Sequence, residues 1–278
     1  MMQLFHDISC QCSKITTGKY STSFSSAIRL LHKDLQTPIY NIYGFVRFAD
    51  EIVDTFHGYN KSVLLSEFKI ETYKAIERKI SLNPILHSFQ MTVNEFEIDK
   101  QLIDAFFRSM EYDLDKNSYD AEGYKDYIYG SAEVVGLMCL NIFCEKDYVN
   151  YEKLKPFAQS LGAAFQKVNF LRDVKSDYQL LERTYFPEVD FKNFTSNSKK
   201  AIEDEIMLDF NSAYDGIMQL PLKARFGVYV AYKYYLSLFK KIKKTQAEKI
   251  LDQRIRIPNY SKALIIVRAT VKNQLKLI

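Results

Sequence analysis

RFADEIVD, residues 47–54, is the stretch on which the fold prediction rests. At about 100° per residue, Tyr43, Arg47, Asp50 and Asp54 fall within an arc of about 60° on one helix. Apolar residues fill most of the remaining circumference. A helix of this kind is typically buried, so we predict that its charged stripe faces an internal cavity.

A second stretch, residues 166–177 (QKVNFLRDVKSD), repeats the pattern. Gln166, Asn169, Asp173 and Asp177 fall within about 80° on another largely apolar helix. Carboxylate and amide oxygens suit hard cations such as magnesium, which substrate phosphates usually help to coordinate. One such pair of aspartates most often marks a solvated helix face. Two pairs on two apolar helices favour a site that holds magnesium against a diphosphate.

The composition predicts a single all-α domain over residues 1–278. Only 9 Gly and 6 Pro interrupt the chain, and 47% of residues are hydrophobic, which argues against a turn-rich all-β protein and against disorder. The polar residues 193–200 (NFTSNSKK) are expected to form a surface loop. One helix should begin at Thr37 and Pro38 and end near Gly58. The expected helices are 22–33, 38–57, 61–80, 99–114, 121–143, 151–178, 200–218, 222–244 and 260–275.

Charge and apolar runs limit the classes of partner. The net charge of +4 does not indicate nucleic-acid binding, and no apolar run approaches the ~20 residues of a membrane span. The four cysteines lack zinc or redox spacing, so a reduced, cytoplasmic protein is expected. The basic run 240–244 is a solvated helix end or a contact with anionic lipid at the inner face of the membrane. The sequence leaves open whether the protein is a monomer or a dimer.

Five motifs in fixed order resemble the squalene/phytoene synthase family of head-to-head prenyl transferases, closest in kind to bacterial phytoene synthases. They are residues 21–24 (STSF), Tyr43 with 47–54, residues 129–132 (YGSA), 166–177, and 183–187 (RTYFP). The resemblance implies an isoprenoid-synthase-type helical bundle around a central cavity. It also implies magnesium-dependent condensation of two allylic prenyl diphosphates through a cyclopropylcarbinyl diphosphate.

The resemblance also implies residue roles. Two or three magnesium ions would be held by Asp50, Asp54, Asn169, Asp173 and Asp177. Tyr129 and Tyr185 would lie near the reacting carbons and, with the four aspartates, form the catalytic set. Lys19, one turn before Thr22, would replace the basic residue that the family often has at the position of Thr22. The expected substrate-binding residues are Lys19, Ser21, Ser23, Phe24, Tyr43, Arg47, Gln166, Arg172, Arg183, Tyr234 and Arg254.

Several alternatives follow from the same residues. The favoured reaction joins two geranylgeranyl diphosphates into phytoene without NADPH, and the rival joins two farnesyl diphosphates into dehydrosqualene or squalene. Two other classes of protein are alternatives: a non-catalytic scaffold relative that retains the fold, and a terpene cyclase. Tyr234 has core packing as its alternative role. Gly130 and Gly136 have three alternative roles: they let a ligand approach the backbone, they allow a kink, or they allow close helix packing.

Overall fold

The computed structural model describes residues 1–115, 118–180, 184–187, 189, 194–252 and 254–278, without the side chains of 176–180, 248 and 252. Within these ranges the chain forms α-helices and one π-helical segment but no strand, and Ser118 and Thr184 form an isolated bridge. The helices are α1 (Met2–Tyr20), α2 (Thr22–Ile28), α3 (Lys33–Asp54), α4 (Lys61–Arg78), α5 (Pro84–Phe96), α6 (Lys100–Asp115), α7 (Ala121–Ile128), the π segment (Tyr129–Glu133), α8 (Val134–Cys144), α9 (Tyr148–Leu180), α10 (Ser196–Ile217), α11 (Leu222–Lys244), α12 (Ala247–Asp252) and α13 (Asn259–Gln274).

Helix α3 lies in the middle of the bundle and packs against α1, α4, α5, α6 and α8. It begins at Lys33, so the predicted start at Thr37 and Pro38 is wrong, and Pro38 lies inside the helix. The backbone N–H of His32 donates to the carbonyl of Lys223 at 2.9 Å, a bond to the start of α11. This long-range contact, which local capping signals do not reveal, fixes where α3 begins.

Helix α1 was not predicted, because its buried face is not apolar. Ser9, Ser13 and Thr17 recur every four residues and are all fully buried against the bundle. The hydroxyls of Ser9 and Thr17 donate to carbonyls one turn earlier, and Ser13 Oγ lies 2.7 Å from Ser88 Oγ. Small side chains allow close packing, since a Cβ added at Gly44 of α3 would lie 2.8 Å from Ser13 Cβ.

Two other predictions of local structure need correction, and the open alternatives for Gly130 are decided. Helices α5 and α12 were also missed. The predicted loop at 193–200 is helical from Ser196 onward, and residues 190–193 lie outside the described part of the chain. A Cβ at Gly130 would lie 2.5 Å from the carbonyl oxygen of Ala105, so close helix packing explains that glycine.

The continuous helical stretch Ala121–Cys144 is the one in the described chain with the length and hydropathy of a membrane span. Its apolar residues contribute to the protein core instead, because 56% of its most apolar window is buried within the bundle. It packs against α6 and α9. Core helices and membrane spans share this composition, and the burial here is that of a core helix.

Candidate active site

A cavity of about 600 Å³ lies between α2, α3, α9 and α11, with contributions from α6, the π segment, α8 and α10. Along α3 the lining residues change from Ile39 and Ile42 to Arg47, Asp50 and Asp54. Along α9 the lining residues also change from apolar to polar towards the C-terminal end of the helix. At 1.5 Å per residue the apolar part, residues 154–165, is about 17 Å long. The cavity therefore combines a polar region with a long apolar one.

The α3 wall carries the predicted stripe. Tyr43, Arg47, Asp50 and Asp54 all line the cavity, so the predicted inward orientation is confirmed. Burial, with repulsion from Asp54 and Asp113, raises the pKa of Asp50 to about 8, despite the opposing effect of Arg47. This wall therefore places two carboxyl groups, Asp50 and Asp54, beside one arginine.

Arg47 is held in place by three contacts on this wall. Its guanidinium forms an ion pair with Glu51 and lies 3.8 Å from Asp50 Oδ2. It also lies 4.3 Å from the centroid of the Tyr20 ring, a cation–π arrangement. These contacts aim a planar, bidentate donor along the polar part of the cavity, where it can bind diphosphate oxygens.

The α9 wall faces this stripe with Gln166, Asn169, Arg172 and Asp173, all of which line the cavity. Asp173 accepts hydrogen bonds from Arg172 Nε at 3.0 Å and forms an ion pair with Arg254 Nε at 2.7 Å. Arg254 reaches the cavity from the segment between α12 and α13. Two arginines therefore meet at one aspartate.

The remaining predicted residues on this side are not all described. Asp177 lies in α9, but its side chain is among those outside the described set, and Arg183 lies wholly outside it. Among the described side chains, no three His, Cys, Asp or Glu groups form a preformed metal cluster.

The chemistry of the donor set nevertheless fits a divalent cation. Oxygen donors line both walls of one cavity, and the charged form of Asp50 needs compensation there, because burial and repulsion from Asp54 raise its pKa. A bound cation would supply that compensation. Asp50, Asp54, Asn169 and Asp173 are the described residues suited to hold it.

The prediction that Tyr129 lies at the site needs correction. Tyr129 is 36% exposed and does not line the cavity, whereas Tyr127, two residues earlier, is 4% exposed and does. Two residues amount to about 200° of helical rotation, which turns Tyr129 to the opposite side. The spacing of Tyr124, Tyr127 and Ile128, all buried, was the available signal for the inward face.

Tyr127 lies in an aromatic group at the cavity wall. Its hydroxyl donates to Asp113 Oδ2 at 2.8 Å. Tyr185, which was predicted at the site, lines the cavity and stacks on Phe170 with ring centroids 4.0 Å apart and its own centroid 5.2 Å from that of Tyr127. Burial and Asp113 hold the pKa of Tyr127 well above its ordinary value, so the phenol stays neutral.

Tyr234, like Tyr129, was predicted to lie at the site, but a neighbouring tyrosine lies there instead. It is 2% exposed and does not line the cavity, in agreement with the core-packing alternative. Tyr235, the next residue, does line it, and its hydroxyl donates to Asn169 Oδ1 at 3.3 Å. Its ring stacks on Phe165 at 3.9 Å. Sequence reasoning missed Tyr235 because one residue of offset rotates a helical side chain by about 100°.

The first motif is split between cavity and surface. Ser21 and Phe24 line the cavity, and Ser21 Oγ accepts the Phe24 N–H at the start of α2. Lys19 is exposed and does not line the cavity, and neither does Ser23. Tyr20, the residue before the motif, also lines the cavity and contacts Arg47 there.

Comparison with known proteins agrees with this geometry. A family model described as squalene/phytoene synthase matches residues 17–261. A phytoene synthase from Cereibacter sphaeroides is 27% identical over 248 residues, which cover 81% of this chain and 68% of that protein. A 4,4'-diapophytoene synthase from Staphylococcus haemolyticus is 26% identical over 198 residues, or 68% of this chain and 66% of that protein.

A solved structure also matches the fold. The crystal structure of a dehydrosqualene synthase in complex with ligand superposes with a TM-score of 0.83 at 20% identity and covers 98% of both chains. The chain therefore has the same all-α fold as that structure, and the predicted fold class is confirmed.

The chain belongs to the squalene/phytoene synthase family. It is accordingly a prenyltransferase, and its relatives support head-to-head condensation of prenyl diphosphates as its class of reaction.

Proposed function

We propose that the protein joins two geranylgeranyl diphosphates head to head to form phytoene, in carotenoid biosynthesis. The observation that carries this proposal is a cavity whose polar part has acidic and basic groups on both walls and whose remainder is apolar. Two allylic diphosphates need such a division, because their headgroups are charged and their chains are hydrocarbon. Relatives named phytoene synthase support the longer substrate.

The polar part would bind the two diphosphates. Arg47 and Arg172, one on each wall, present guanidinium groups that bind phosphate oxygens in pairs. Arg254 and Tyr43 extend this set. Magnesium, when bound by Asp50, Asp54, Asn169, Asp173 and Asp177, supplies the Lewis acid that stabilises a departing diphosphate.

The apolar part would protect the carbocation that remains. Phe24, Phe165 and Phe170 line the cavity and exclude water, which would otherwise capture the cation as an alcohol. The ring faces of Tyr127 and Tyr185 can stabilise positive charge on the reacting carbons. Attack by the double bond of the second molecule, with loss of one proton, then gives the cyclopropylcarbinyl diphosphate. This intermediate releases its diphosphate, rearranges and loses a second proton to give phytoene.

The rival substrate is farnesyl diphosphate, with dehydrosqualene or squalene as product. The staphylococcal relative named diapophytoene synthase supports this alternative. Squalene formation would require a hydride from NADPH, and we propose that the protein does not use it.

Product analysis tests the proposal. The purified protein is incubated with magnesium and either geranylgeranyl or farnesyl diphosphate, with and without NADPH, and the hydrocarbons are identified by mass spectrometry. We expect phytoene from geranylgeranyl diphosphate, at a rate that NADPH does not change. Efficient conversion of farnesyl diphosphate alone would replace this proposal with the shorter-chain one.

A further inference from the structure

Helix α13 carries an apolar stripe on its solvent-facing side. At about 100° per residue the stripe spans an arc of about 80°. Its members are Tyr260, Leu264, Val267, Val271 and Leu275, exposed by 76%, 47%, 59%, 49% and 64%. The opposite face of α13, which includes buried Ala269, packs against α11. A contiguous exposed stripe of this length indicates a surface that meets an apolar partner.

The charge around this α13 stripe is of one sign. Residues 256–278 contain five Lys or Arg and no Asp or Glu. Arg268 and Lys272 of α13 are exposed on one flank of the stripe, and exposed Lys276 follows the end of the helix. Lys233 of α11 lies near Lys272 and Lys240, so cationic groups continue onto the neighbouring helix. A helix with an apolar face and a basic flank is typical of segments that lie in the surface of an anionic membrane.

The α13 stripe starts next to the cavity. Arg254 lines the cavity, and the first residue of the stripe, Tyr260, follows six residues later. On the other side, Lys262 Nζ donates to Thr22 Oγ1 at 2.9 Å, one residue from cavity-lining Ser21. Helix α13 thus follows one cavity-lining residue in sequence and is hydrogen-bonded to the neighbour of another.

We propose that the α13 stripe docks the protein onto the surface of an anionic lipid bilayer. The apolar side chains enter the region between headgroups and acyl chains, while Arg268, Lys272 and Lys276 bind lipid phosphates. Docking through this helix places a cavity that holds hydrocarbon chains beside the bilayer, and this consequence alone rests on the proposed function. The lipid contact is assigned here to α13 rather than to the basic run 240–244.

A second copy of the chain fits the α13 stripe less well. Pairing two α13 helices face to face would bring the basic flanks together, and residues 256–278 contain no Asp or Glu side chain to neutralise them. An anionic lipid surface satisfies both the apolar and the cationic groups.

Vesicle flotation tests the proposal with the whole chain. Phosphatidylcholine vesicles, with or without phosphatidylglycerol, are mixed with wild type, with L264S/V271S or with R268Q/K272Q. The matched control is V149S/L208S, which changes two exposed apolar residues of α9 and α10. We expect wild type and control to float with phosphatidylglycerol vesicles. Both α13 variants should bind these vesicles at least about 10-fold more weakly than wild type. Added salt should weaken wild-type binding.

The opposite outcomes are equally distinct. Wild type that does not float, or L264S/V271S that floats like wild type, overturns the proposal. A wild-type dimer that L264S/V271S converts to a monomer would assign the stripe to self-association and also overturn it. Circular dichroism and thermal melting of each variant confirm that the fold is retained, so loss of flotation reports loss of docking.

Discussion

The hydroxyl of Tyr127 donates to Asp113 Oδ2 at 2.8 Å, which joins α7 to α6 at the cavity wall. This bond fixes the tyrosine ring beside Tyr185 and Phe170. If the phenol assists at the reacting carbons, Tyr127→Phe should lower kcat by about 10²–10⁴-fold, the usual size of acid–base assistance. Steady-state kinetics with product analysis measures this loss.

Tyr129→Phe is the matched control, because Tyr129 is two residues away but outside the cavity. We expect it to retain wild-type turnover. If Tyr129→Phe were impaired and Tyr127→Phe were not, the assignment of Tyr127 would be wrong.

The raised pKa of Asp50 predicts how stability varies with pH without metal. Burial, with repulsion from Asp54 and Asp113, raises this pKa to about 8, against about 3.9 in an unfolded chain. The folded state binds the proton more tightly, so the stabilisation is complete below about pH 4 and is lost as pH rises through about 8. Thermal melting in chelator should show a falling Tm between these values.

Asp50→Asn should remove most of this pH dependence and leave the metal-free protein at least as stable near pH 8. Asp126→Asn changes an exposed carboxyl on α7 and should melt with the same pH dependence as wild type. A wild-type slope in Asp50→Asn would show that Asp50 is not the titrating group.

Arg254 tests the basic side of the site. Its ion pair with Asp173 is half exposed, and such pairs add little to stability, about 0–1 kcal/mol. Arg254→Gln should therefore melt like wild type. A charge-assisted bond to diphosphate is worth about 1.5–3 kcal/mol, so KM should rise by roughly 10- to 100-fold. Exposed Arg256→Gln, two residues on, is expected to leave KM unchanged, and equal effects of both variants would remove Arg254 from the binding site.

Ala158 tests the apolar part of the cavity. It lines the cavity on α9, about two turns before Gln166. Ala158→Phe should fill space that the distal end of a long chain needs, and it should lower kcat/KM for geranylgeranyl relative to farnesyl diphosphate by about 10-fold or more. Competition assays with both substrates measure the ratio. Val149→Phe, on the exposed side of α9, should leave this kcat/KM ratio unchanged. An unchanged ratio in Ala158→Phe would show that the prenyl chains do not occupy this part of the cavity.

Periodic apolar patterns predicted most of the fold. Helix α11 spans the predicted 222–244, and α4 ends two residues before its predicted end. Helix α1 was missed because small hydroxyl side chains form its buried face. The start of α3 was misplaced because a bond between His32 and Lys223, 191 residues apart in sequence, sets it.

The site was predicted unevenly for a geometric reason. Spacing of three and four residues placed Asp50, Asp54, Asn169 and Asp173 on inward stripes, and the structure brings them to one cavity. The predictions for Tyr129 and Tyr234 rest on a motif and on a looser alignment, where an offset of one or two residues turns the side chain by about 100° or 200°. Asp113 follows the buried residues Phe106 and Met110 at helical spacing, so a carboxyl on an apolar face was the signal for it.

The most direct measurement compares phytoene formation from geranylgeranyl diphosphate by wild type, Asp50→Asn and Asp173→Asn, with magnesium and with excess chelator. These residues lie on opposite walls of the cavity, and metal stabilisation of several kcal/mol corresponds to roughly 10²–10⁴-fold in rate. We predict that wild type forms phytoene only with magnesium and that each substitution lowers its rate within or beyond that range. Two results would contradict a reaction in which both walls hold metal against the diphosphates. One is full activity of the wild type in chelator, and the other is a wild-type rate in either variant with magnesium.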